Sequence, residues 1–236
     1  MIRTALISLL LFSFSGVAQV KTFQLGALRE EVFKEFGTPE RFFAPQPNKY
    51  LNGLAEYKAA AGVWARIDDV FMRETATNAY EVHVMYQFDS RESRLRPKQR
   101  VGRVEFTVDK PQAIKETLAD FPEAKAICAG GCSLYGLNKF GSYEILVYPA
   151  NPSSELLDLG RQVATGFTER DTKSTWGMGL YLKLEERPSS GLDRRSPNWN
   201  GKIIEIEFSA ACLQFDLTPI TASSARPVEL GTWQPN

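Results

Sequence analysis

The chain has a single histidine, His83, and three cysteines, Cys128, Cys132 and Cys212, among 236 residues. This scarcity excludes whole classes of chemistry. Tetrahedral zinc sites draw on paired Cys/His clusters, which one histidine cannot supply. A Ser-His-Asp or Cys-His system would have to use His83, and no nucleophile stands beside it in the sequence. No G-x-S-x-G, H-E-x-x-H or Gly-Lys-Ser/Thr phosphate loop occurs. The segment GLNKFGS at 136–142 has loop-like glycine spacing without the lysine before its closing serine. Adjacent acids such as Asp68-Asp69 and Glu185-Glu186 point to opposite faces of a strand, so they suit paired acid–base work poorly. No catalytic residue, metal or cofactor is expected.

Net charge is also missing. Twenty-eight basic residues balance 28 acidic ones, and a chain so balanced is not a generic polyanion binder, so no nucleic acid partner is expected. Beyond the N-terminus no apolar run is long enough to cross a bilayer. The N-terminal run itself, 5–14, follows Arg3 and precedes Gly16-Val17-Ala18. A charged start, a short apolar stretch and a small-x-small site read as a signal peptide over 1–18, cleaved after Ala18; a retained anchor is the alternative. The mature chain is then an exported, periplasmic or extracellular protein carrying close to one net negative charge.

Export permits disulfides. Cys128 and Cys132 bracket Ala129-Gly130-Gly131, whose glycines let the backbone close a small ring. Either cysteine could instead pair with Cys212, and the C-x3-C spacing is not the C-x-x-C of redox pairs. A structural Cys128–Cys132 bridge is the favoured reading.

What the chain does contain is alternation and short amphipathic turns. Leu28, Val32 and Phe36 make one apolar stripe after Leu25, with Arg29, Glu30, Lys34 and Glu35 on the wet side. Gly37 suits a helix stop, and Pro39 prevents resumption. A second short helix is read at 54–61. Residues 80–89 alternate, with Tyr80, Val82, Val84, Tyr86 and Phe88 inward and His83 on the polar side. Residues 101–109 repeat this, with Val104, Phe106 and Val108 inward. Pro111 is read as a helix start, with Ile114, Leu118 and Phe121 as its stripe and Pro122 as its end. Residues 143–148 read as a strand apolar on both faces. Ser153 or Ser154 caps a helix with stripe Leu156, Leu159, Val163 and Phe167. Two strands follow. In 176–185 the inward set is Trp176, Met178, Leu180, Leu182 and Leu184; in 202–209 it is Ile204, Ile206 and Phe208, with Cys212 carried inward. From Pro219 on, a Ser-, Ala- and Pro-rich composition reads as irregular.

At Gly26, Glu31-Val32 and Gly37-Thr38-Pro39 the sequence resembles the BamE (SmpA/OmlA) family of small outer-membrane lipoproteins. The resemblance covers that one segment, and implies a helical hairpin on a small antiparallel sheet and a role in the envelope. The family's lipidated cysteine at the end of the leader is absent here.

The two halves share an order: a helix, an alternating strand, an arginine-bearing connection and a final alternating strand. Val104-Glu105-Phe106 and Ile206-Glu207-Phe208 occupy corresponding places. The expected fold is α+β, short helices on antiparallel sheets, with a unit at 19–110, a second at 111–218 and a tail at 219–236. Such tandem units are also similar in architecture to β-lactamase inhibitor proteins. The unusual surface feature is charge. The connection 90–100 holds Arg91, Arg94, Arg96, Lys98 and Arg100 against Glu92, and a later one holds Arg187, Arg194 and Arg195 against Asp193. Arginine forks there would grip an anionic lipid surface or an acidic envelope protein; solvated loops guarding sheet edges are the alternative. The functional reading is a non-catalytic, envelope-associated interaction module. Alternatives are a secreted inhibitor or ligand-binding protein using a sheet face and, last, a hydrolase with a dispersed site built on His83.

Overall fold

The computed structural model describes residues 21–43, 68–89, 98–139, 142–164, 176–185, 201–212 and 228–235. The leader, the helix read at 54–61, Phe167 and most of both arginine-bearing connections lie outside the described residues.

Among the described residues nine strands form one antiparallel sheet: β1 (Arg41–Phe43), β2 (Asp68–Glu74), β3 (Ala79–Asp89), β4 (Lys98–Ala113), β5 (Cys132–Lys139), β6 (Ser142–Pro149), β7 (Trp176–Leu184), β8 (Lys202–Cys212) and β9 (Val228–Trp233). Their spatial order is β1-β2-β3-β4-β8-β7-β6-β5-β9. The first four strands run as neighbours in chain order, and β8 joins them by pairing with β4. The α+β reading holds, but the two halves share a single sheet. At their junction Val104-Glu105-Phe106 lies antiparallel to Ile206-Glu207-Phe208, with Glu105 opposite Glu207.

Four short helices among the described residues, α1 (Arg29–Phe36), α2 (Ile114–Asp120), α3 (Pro122–Ile127) and α4 (Ser154–Ala164), cover one face. That face carries the period-two apolar sets. Tyr80, Val82, Val84 and Tyr86 of β3, Val104, Phe106 and Val108 of β4, and Met178, Leu180, Leu182 and Leu184 of β7 are all buried in one cluster. Helix residues Val32, Ile114, Leu118, Ala124 and Val163 complete it. Phe23 enters from the N-terminal segment and stacks on Phe36 with ring centroids 3.9 Å apart. α1 ends where the stop signal places it: Gly37 sits at φ 87°, outside the range comfortable for residues with a Cβ.

Several boundaries differ from the sequence reading. Pro111 does not open a helix. β4 continues through it to Ala113, because the β4–β8 ladder is interrupted between Thr107 and Gln112 and a residue without an N–H is tolerated there. The helix starts at Ile114 instead. Pro122 does not simply end that helix; it is the first residue of α3. Ile203, not Ile204, is fully buried, since the β7–β8 register slips between Lys183 and Leu184 and inverts the parity. Within the stretch read as irregular, Val228–Trp233 forms β9 and pairs with β5. Ser153 does cap α4, accepting from Leu156 N at 3.3 Å.

Arg29 corrects the reading of α1. Instead of facing water, its guanidinium reaches inward and donates to both oxygens of Asp69 on β2, at 2.7 and 2.6 Å. Asp69 is fully buried, and Arg29 lies over the rings of Phe33 and Tyr86. Asp69 holds the guanidinium's pKa above its ordinary value. Four residues along, on the same face of β2, Arg73 donates to both oxygens of Glu123 on α3 at 2.9 Å. Phe23 N adds a third hydrogen bond to that carboxylate, also 2.9 Å. The two pairs pin α1 and α3 to the same strand with opposite polarity.

Candidate binding face

Because side chains alternate along a strand, the residues between the core positions project from the other face. None of the described helices packs there. The register lines these residues up across all nine strands. One row reads Arg41, Val70, His83, Glu105, Glu207, Tyr181, Leu146, Tyr135 and Glu229. The adjacent row reads Met72, Glu81, Thr107, Glu205, Lys183 and Glu144.

The chemistry along these rows is cross-strand ion pairing. Arg103 contacts Glu105 on its own strand and Glu207 on β8, the latter at 2.9 Å, so one guanidinium serves two carboxylates placed directly opposite each other. Like charges in that position repel, and the shared cation offsets the repulsion. Ser209 Oγ donates to Glu207 at 2.7 Å. Lys183 Nζ donates to Glu205 at 3.1 Å. Arg41 pairs with Glu81, whose other oxygen lies 2.8 Å from His83 Nε2. The hydrogen bond from His83, aided by Arg41, holds the Glu81 carboxyl below its ordinary pKa. At the β5–β7 end, Leu146, Tyr148 and Ala211 form a small buried cluster flanked by Tyr135 and Tyr181. Exposure along the band is uneven: Val70, Met85 and Ser209 on this face are buried, and the Glu105 and Glu207 side chains keep 23% exposure. Side chains retain 37% exposure at Glu81, 42% at Lys183 and 34% at Glu205.

The sequence-derived candidates fall unevenly on this frame. Arg91, Arg94, Arg96, Arg194 and Arg195 lie outside the described residues. Lys98 and Arg100 belong to β4, paired with Asp89 and Gln87, and are not loop residues. Arg100 is half-buried, and its guanidinium donates to the Gly26 carbonyl at 3.0 Å, tying the N-terminal segment to the sheet. Cys128 and Cys132 are joined by a disulfide between the end of α3 and the start of β5, with Gly131 at φ 88° turning the ring. Both cysteines are fully buried. His83 lies on the polar side of β3 as its alternation requires, hydrogen-bonded to Glu81. The grouping of Arg103, Glu105, Glu207, Lys183 and Glu205 was not singled out from sequence. Alternation turns each of them outward, but only the β4–β8 and β7–β8 registers bring them together. No protein-family model matches the chain, and comparison with curated proteins and with solved structures likewise finds no match.

Proposed function

We propose that the chain is an exported, non-catalytic interaction module that binds another component of the cell envelope through charged surface. The observation that supports this most is the division of the sheet. One face is sealed by helices over a continuous apolar core, and the other carries ordered, partly exposed ion pairs among the described residues. His83 is committed to Glu81 in that band, which suits a recognition surface better than a proton-transfer site. The signal peptide with cleavage after Ala18, the BamE-like start at Gly26–Pro39, and an anionic lipid or acidic protein as target of the basic β3–β4 connection belong to the same proposal. So does an internal duplication, in keeping with Val104-Glu105-Phe106 lying against Ile206-Glu207-Phe208.

The test uses fractionation and vesicles. The protein should sediment with envelope membranes at low salt and be released at high salt, because exposed charge contacts are screened within about 10 Å at 0.1 M. Replacing Arg91, Arg94, Arg96 and Lys98 with serine should abolish binding to anionic vesicles with the melting temperature nearly unchanged. Equal vesicle binding by that variant would remove the basic connection from the proposal. A second reading, a secreted inhibitor or ligand-binding protein, is favoured by the continuity of a face that none of the described helices covers. It would leave the protein soluble at all salt concentrations and bound to one enzyme or ligand.

A further inference from the structure

We infer that Met72 is a reversible oxidation site of this chain, converted to the sulfoxide by a peroxide and restored by a thiol-dependent sulfoxide reductase. The inference is independent of the binding-module reading.

Position in the sheet singles this residue out. Of the four methionines in the chain, Met72, Met85 and Met178 lie among the described residues. Met178 is fully buried and Met85 is 7% exposed, whereas Met72 keeps 50% exposure. It is the one exposed large hydrophobic side chain among the described residues. Its place near the margin of the sheet accounts for this. β1 pairs with β2 only as far as Val70, which lies opposite Arg41, so among the described residues no strand flanks Met72 on that side. On the other side Met72 stands opposite Glu81, whose carboxylate engages Arg41 and His83. The thioether therefore borders water and charged groups.

The chemistry needs only access to sulfur. A sulfur lone pair attacks one oxygen of hydrogen peroxide, the O–O bond breaks, an S–O bond forms and the second oxygen leaves as water. Sulfur loses two electrons and the peroxide gains them. In the return step two thiols become a disulfide, and the sulfoxide oxygen leaves as water. The sulfoxide is polar. At Met72 it faces solvent, so the fold tolerates it. At Met178 it would lie unpaired inside the apolar cluster, which costs free energy.

The experiment exposes the folded protein to limiting hydrogen peroxide and follows each methionine by peptide mapping and mass spectrometry. Met72 should gain one oxygen about tenfold or more faster than Met85 and Met178, which react only when the fold opens. In urea all three should react at similar rates, which shows that folding sets the order. Met72→Leu should take up no early oxygen, with Met85 and Met178 as slow as before. Reductases specific for each sulfoxide epimer, supplied with dithiothreitol, should return Met72 of the folded protein to its original mass. The urea midpoint of the protein oxidised at Met72 alone should match that of the untreated protein. Rates for Met85 or Met178 within about twofold of Met72 in the folded protein overturn the inference. So does a Met72 sulfoxide that both reductases leave in place, or a urea midpoint lowered by oxidation at Met72 alone.

Discussion

Arg73 and Glu123 allow a sharp test of how the fold is held, because both are buried and the geometry of the pair is complete. Their side chains are 9% and 1% exposed, and the guanidinium also lies over the rings of Phe106 and Phe121 at 5.5 and 5.3 Å. Replacing Arg73 with methionine leaves a carboxylate in an apolar enclosure with only the Phe23 N–H to satisfy it. Breaking a buried pair in this manner costs about 3–5 kcal/mol. Removing both charges, in Arg73→Met/Glu123→Leu, should restore most of that loss. A residual of about 1–2 kcal/mol remains, because the Phe23 N–H loses its acceptor. The cost must also depend on pH. Burial pushes the Glu123 carboxyl above its ordinary pKa, and Arg73 and the Phe23 N–H pull it back. A carboxyl raised on folding contributes stability that is present below its unfolded titration and is lost as pH rises through its folded value. Without Arg73 the folded value climbs further, so Arg73→Met should cost more at pH 7 than at pH 5. Urea unfolding of wild type, the single variant and the double variant at both pH values measures this. A single-variant loss below about 1 kcal/mol, or a double variant no better than the single, would refute the reasoning.

Further outcomes follow from the same structure. Gly160→Ala, normally stabilising in a helix, should destabilise by about 1–3 kcal/mol, since its Cβ would lie 2.3 Å from the backbone of Gly177 and force α4 off the sheet; thermal melting measures it. Cys128→Ser/Cys132→Ser should lower stability by about 2 kcal/mol from the entropy of a small ring, read from urea midpoints with and without the bridge. Arg103→Ala should cost about 1 kcal/mol at neutral pH by leaving Glu105 opposite Glu207, with the loss shrinking in high salt or at acid pH.

Local patterns in the sequence carried far, and their limits have definite causes. The alternation at Tyr80, Val82, Val84 and Tyr86 and at Met178, Leu180 and Leu182 marked the core face because each strand has one face against helices. The glycine stop at Gly37 and the serine cap of α4 are decided within a few residues, and both stand as read. Bulges defeated the parity argument at Ile203 and Ile204, because a single extra residue inverts every side chain beyond it. Arg29 has the helical position of a solvated residue; only the non-local approach of Asp69 draws it inward. β9 was hidden by the Ser-, Ala- and Pro-rich run before it, although Leu230 is buried in the core and Trp233 packs against it. The charged band was illegible for a different reason. Glu105 and Glu207 are a hundred positions apart in the chain, and no local signal says that β4 and β8 are neighbours.

Photo-crosslinking from two positions in the native envelope tests the central claim most directly. Benzoylphenylalanine would replace either Thr107, exposed on the face opposite the described helices, or Lys125, exposed on α3. A discrete adduct with one partner from Thr107 and none from Lys125 is the expected result. No adduct from Thr107, or the same diffuse products from both positions, would contradict the account.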